Sequence, residues 1–159
     1  MASMIRGGGE TFDLEMSRHL EKPGCETSFL SGLPLFGSAR YPLNRPRSYT
    51  LRTPYTGWLP CERIRGGWRL RIWDFKLFER RAAAWAFARR AQFDLIQVCE
   101  LPFFVDEWRK HKSGIPVVMR LTAPNFCDPV GAVQAADAVI ASGTTISEIR
   151  KTVRPDCVD

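Results

Sequence analysis

The sequence predicts an α/β fold built on a mostly parallel sheet covered on both faces. Three observations predict it. Residues 94–99 (Asp-Leu-Ile-Gln-Val-Cys), 115–121 (Ile-Pro-Val-Val-Met-Arg-Leu) and 136–142 (Ala-Asp-Ala-Val-Ile-Ala-Ser) each read as a buried strand. Segments with helical composition separate the three. Strands that alternate with helices form parallel sheets whose faces are both buried. Ligands of such sheets bind at the carboxyl ends of the strands, so residues just after each strand are the first candidates for function.

The remaining elements follow in order. Phe12, Met16 and Leu20 recur every four residues, with Leu14 beside them, and predict an amphipathic helix over 11–20. Pro23 and Gly24 end it. Residues 25–30 read as a short strand with a turn at Ser31 and Gly32. Residues 33–67 carry five prolines and four glycines and are expected to be an irregular insertion, with a strand at 48–53. A long irregular stretch inside a compact domain is usually functional or mobile. From about Asp74 to Ala91 propensity favours a helix. Its apolar face is expected at Phe75, Phe78, Ala82, Trp85 and Ala88 or Arg89. That face either packs on the sheet or, with its many arginines, rests on a membrane surface. A helix over 101–112 closes with Lys112, Ser113 and Gly114, a cation and a glycine suited to a C-terminus. A short helix is expected over 128–135, with Pro129 in its first turn. Thr145 and Glu148 form a capping-box pattern for a last helix. The 159 residues are expected to form one domain.

Composition narrows the function classes. Hydrophobic residues make up 45% of the chain, which is ordinary for a globular protein. No apolar run approaches the roughly 18 residues needed to span a bilayer, and no secretory leader is visible. The five cysteines are scattered and odd in number, with no C-x-x-C pair, so a zinc site or redox pair is not expected. A reducing, cytoplasmic setting fits them, with the inner face of the membrane as a further place of contact. The net charge of +6 suits attraction to phosphates or anionic headgroups. It also suits a solvated surface with no such role. No nucleic-acid-binding module is recognisable.

Candidate residues fall at helix starts and strand ends. Gly7, Gly8, Gly9 and Glu10 form a glycine-rich turn ahead of the first helix, where backbone N–H groups can meet a diphosphate or sugar phosphate. No Lys-Ser or Lys-Thr follows, so the turn is not a P-loop. Glu100 follows the 94–99 strand and can hydrogen-bond a substrate hydroxyl, act as a base, or serve the dipole of the next helix. Arg120, Thr122 and Asn125 occupy the same position at the next strand, where Arg120 can bind a phosphate or pair with an acid. Ser142 follows the third strand, where small side chains let a ligand approach. His19 and His111 fall on helices away from strand ends and read as surface residues. No metal-ligand cluster and no catalytic triad is suggested, and no cofactor is expected.

The order of these motifs resembles the amino-terminal half of the GT-B fold glycosyltransferases, specifically the large retaining family 4. Four stretches carry the likeness. They are Arg6-Gly7-Gly8-Gly9-Glu10 with Leu14, Leu20 and Gly24-Cys25-Glu26-Thr27; then Phe93-Asp94-Leu95-Ile96-Gln97-Val98; then residues 114–121; and last residues 136–142. The resemblance implies a Rossmann-like three-layer sandwich that binds a glycan or lipid-linked acceptor. It implies a nucleotide-sugar donor held mostly by a second domain, and metal-free transfer with retention in the cleft between them. On this likeness Gly8 and Gly9 lie against the donor diphosphate and acceptor, and Glu100 and Thr122 face the cleft. Many family members have a histidine where this chain has Thr122. The donor domain is expected to be missing after Asp159, so the isolated chain is expected not to transfer sugar. Two other readings remain: a non-catalytic module that binds a sugar, lipid or protein partner, and a different small phosphate-binding α/β protein.

Overall fold

The computed structural model describes residues 8–36, 38, 47–54, 63–122 and 128–141. Over these the chain is mixed α/β, with short parallel sheets and helices. It divides into two compact units, Met1–Phe78 and Glu79–Asp159.

In the first unit, helix α1 spans Gly8–Glu21. It begins a turn earlier than the apolar spacing predicts, so Gly8 and Gly9 are helical and not a turn ahead of the helix. The first N–H groups of a helix have no partner within it, so glycine is least costly there. The far end closes as predicted. Gly24 takes φ +93°, its N–H donates to the Glu21 carbonyl at 3.0 Å, and the Cys25 N–H donates to the Leu20 carbonyl at 3.1 Å. These paired bonds form a Schellman cap, which places glycine at the left-handed position.

Strand β1 spans Phe29–Pro34 and pairs in parallel with β2, Ser48–Thr53. The turn expected at Ser31 and Gly32 is instead the middle of β1. Ser31 pairs with Thr50 and Gly32 with Leu51, so the ladder takes up the backbone groups that would otherwise favour a turn. Pro34, which lacks an N–H, ends the strand where its loss matters least. The 48–53 strand lies where the sequence places it.

Helix α2 spans Gly67–Ala88, starting well before Asp74. Its buried positions in the second unit are Glu79, Ala82, Ala83 and Ala86. The face expected at Phe75, Phe78, Ala82 and Trp85 is therefore rotated. Small alanines turn inward, while Phe75 stays exposed.

The second unit realises the predicted alternation. Strand β3 (Ile96–Cys99), helix α3 (Pro102–Lys110), strand β4 (Val117–Arg120), helix α4 (Ala132–Ala135) and strand β5 (Ala138–Ile140) follow one another. The sheet order is β3-β4-β5, all parallel. The strands are shorter than their apolar runs. The expected 128–135 helix shrinks to α4: Pro129 lies in a turn, Gly131 takes φ +69°, and the Asp128 carboxylate accepts the N–H groups of Ala132 (2.7 Å) and Val133 (2.8 Å). Asp128 thus caps the helix from four residues away, so the helix starts later.

The core of this unit lies between the sheet and its helices. Val98, Val117, Met119 and Val139 come from the strands, and Phe104, Val105 and Trp108 from α3. Trp108 stacks on Phe104 at 5.9 Å and meets Phe87 edge-on at 6.2 Å. Its indole N–H donates to the Ile115 carbonyl at 3.2 Å, which satisfies the one polar group of the side chain. Among the described residues no helix is long and apolar enough to cross a membrane.

Candidate functional site

The carboxyl ends of β3 and β4 bring two predicted residues together. Parallel register sets Cys99 beside Arg120, and the Glu100 N–H donates to the Arg120 carbonyl at 3.0 Å. The chain then turns at Glu100, which takes φ +53°. Left-handed backbone at a non-glycine residue costs on the order of 1 kcal/mol. Lys112 also takes a positive φ, +48°, but it lies just past α3, where helix ends commonly adopt this conformation. Glu100 has no helix end to explain it. The turn aims its carboxylate across to the end of β4.

There Glu100 Oε1 accepts two bonds from Thr122, one from the N–H at 2.7 Å and one from Oγ1 at 2.5 Å. Bonds from a neutral donor to a carboxylate are stronger than neutral pairs. They tie the segment leaving β4 to the end of β3. Thr122 is exposed and Glu100 half-buried, so the pair is open to solvent. Beneath them Arg120 is buried, and its Nη2 lies 3.2 Å from Cys99 Sγ.

The other predicted residues fall elsewhere. Gly8, Gly9 and Glu10 form the first turn of α1, in the first unit. Gly7, Asn125 and Ser142 lie outside the described residues. So do Thr145, Glu148 and the last helix expected from their capping-box pattern. His19 is exposed, whereas His111 is half-buried and stacks on Phe87 at 4.3 Å, which makes it a packing residue. Among the described residues no cluster of His, Cys, Asp or Glu could hold a metal ion. A shallow depression lined by Trp108, Arg109, Lys112, Ser113, Gly114 and Ile115 lies toward the amino end of β4, away from Glu100.

Two residues escaped the sequence reading. Cys99 immediately precedes Glu100, and its thiol lies against the Arg120 guanidinium; the register of the two strands was the missing signal. Glu79 is buried, and its carboxylate accepts the Phe104 N–H at 3.0 Å. It caps α3 from another helix, since Leu101 at the cap position offers no side-chain bond. Burial pushes its pKa up to about 8, against the lowering effect of the Phe104 and Phe103 N–H groups. A glutamate one turn from alanines on an otherwise apolar face was the available sign. Asp137 shows the opposite outcome. Partial burial favours its neutral form, but the Val117 N–H (2.6 Å) and Arg109 (2.9 Å) outweigh that and hold its pKa below the usual value.

Comparison with known protein families, curated proteins and solved structures gives no match.

Proposed function

We propose that this chain is the acceptor-binding half of a retaining, metal-independent glycosyltransferase that uses a nucleotide-sugar donor. In this reading the described elements belong to a Rossmann-like three-layer sandwich, the amino-terminal half of a GT-B fold. The acceptor is a glycan or lipid-linked saccharide, and the donor is held by a second domain. These residues alone do not complete transfer. The family resemblance supplies the reaction class. The observation that carries the site is the Glu100–Thr122 pair, a strained carboxylate turn at adjacent strand ends, open to solvent. Carboxylates and hydroxyls are the groups that hold sugar hydroxyls, and backbone strain of this kind clusters at functional sites. Glu100 would accept hydrogen bonds from the acceptor, and Thr122 would keep its carboxylate oriented.

A second reading is a non-catalytic sugar- or partner-binding α/β module. It is favoured by the two bonds Thr122 already gives to one oxygen of Glu100, which suit a structural latch.

Saccharide binding measured by calorimetry, for the wild type, Glu100→Gln and Thr122→Val, separates an acceptor-binding role of the pair from a structural latch. Acceptor binding predicts at least about tenfold weaker affinity for Glu100→Gln, the worth of one charge-assisted bond. A latch predicts lowered stability in both variants with any saccharide affinity unchanged. The isolated chain is expected to leave nucleotide sugars intact, with or without a chelator.

A further inference from the structure

The first half of α2 presents a surface that the glycosyltransferase reading does not use. Trp68, Ile72 and Phe75 are spaced by four and three residues and form one stripe along the helix. The same stripe continues through Glu79, Ala82 and Ala86. Those three are buried, each 5% exposed or less, whereas Trp68 is 55%, Ile72 47% and Phe75 41% exposed. One apolar face is thus covered along its second half and bare along its first. Leu70 and Trp73 are also exposed, but they fall on the opposite side of the helix and do not widen the stripe.

The charges around this stripe are one-sided. Residues 63–78 contain Arg63, Arg65, Arg69, Arg71 and Lys76, and their sole acid, Asp74, is buried. Arg71 flanks the stripe on one side, with its guanidinium 5.5 Å from the Trp68 ring and 5.7 Å from that of Phe75. Arg69 and Lys76 flank it on the other side. Basic side chains with long apolar stems beside tryptophan are the composition of helices that lie in the headgroup layer of a bilayer.

We propose that this half of α2 is a docking surface for an anionic lipid bilayer, lying along it and not crossing it. A second copy of the chain fits less well, because it would oppose the same basic row to itself. A nucleic acid would meet the arginines but leave Ile72 without a partner, since aliphatic side chains do not stack on bases as aromatic rings do. This surface does not depend on the Glu100–Thr122 site, so either proposal can fail alone.

Flotation of the full chain with phosphatidylcholine vesicles, with and without 30% phosphatidylglycerol, tests it, read alongside tryptophan emission. Binding is expected only with the anionic vesicles, weakened by salt and accompanied by a blue shift. Replacing Arg65 or Arg69 by Gln is expected to weaken partition about fivefold each. Trp68→Ser with Ile72→Ser is expected to abolish the blue shift while far-ultraviolet circular dichroism stays unchanged, since both side chains are already exposed. Equal or no binding to the two vesicle types would overturn the proposal. So would binding that ignores the double substitution, or a concentration-dependent dimer that the same substitution dissolves in the absence of lipid.

Discussion

The two units bury different chemistry. Among the described residues of the second unit the buried side chains are mostly apolar, from Ala82 to Val139, and Trp108, Val105, Val117 and Met119 are almost wholly enclosed. In the first unit Leu33 is the one buried apolar side chain among the described residues, beside Ser17, Ser31, Thr53 and Asp74. The hydroxyls of Ser31, Ser48 and Thr53 are buried there without hydrogen-bond partners, while Trp68, Leu70, Ile72 and Trp73 face solvent. The same β-strand and helix vocabulary therefore yields a closed core in one unit and an open apolar surface in the other. A closed core holds a strand-end site in fixed geometry. An open apolar surface holds hydrophobic area available for something else.

The largest test of this difference is a pair of tryptophans. Trp108→Ala empties the enclosed core and is expected to cost about 3–5 kcal/mol in thermal or denaturant unfolding. Trp73→Ser is expected to change stability by less than about 0.5 kcal/mol. Similar costs for both would break the comparison.

Glu79 sharpens it through pH. Its pKa rises from 4.5 to about 8 on folding, so between those values the folded chain keeps a proton that the unfolded chain has released. Stability therefore falls as pH rises through this window and levels off above it, by at most about 1.4 kcal/mol per pH unit. Glu79→Gln is expected to remove that slope, as seen in denaturation midpoints at a series of pH values. A slope that persists in the variant would place the titrating group elsewhere.

A smaller effect, of opposite sign, is expected in the first unit. Thr53→Val keeps the side-chain shape and removes a buried hydroxyl that makes no hydrogen bond. It is expected to stabilise by about 1 kcal/mol. Destabilisation would show that the hydroxyl is satisfied in solution.

What was legible in the sequence follows the same division. The β3-to-β5 alternation could be read because each strand lies within a continuous apolar run, as in Ile115-Pro116-Val117-Val118-Met119, although in β5 Ala138 and Ile140 are exposed and so do not show the burial on both faces that such runs suggest. Glu100 and Thr122 are each singled out by the rule about strand ends, but their contact depends on strand register, which a single strand does not carry. Glu79 was hidden because its partner, the start of α3, is distant in sequence. Cys99 was hidden because strand register is not written in a single strand. In the first unit Ser31-Gly32 carried turn chemistry that pairing with β2 overrode. Gly8 and Gly9 carried loop chemistry that the first turn of a helix tolerates. Gly7, Asn125 and Ser142 lie outside the described residues, so that part of the expected site has no structural counterpart.

The most direct test of the proposed function is to titrate the isotope-labelled chain with a panel of mono- and oligosaccharides and follow its backbone amide resonances. The account predicts saturable shifts centred on Glu100, Leu121 and Thr122, lost in Glu100→Gln. No shift with any saccharide, or shifts centred instead on the depression at Lys112, Ser113 and Gly114, would contradict it.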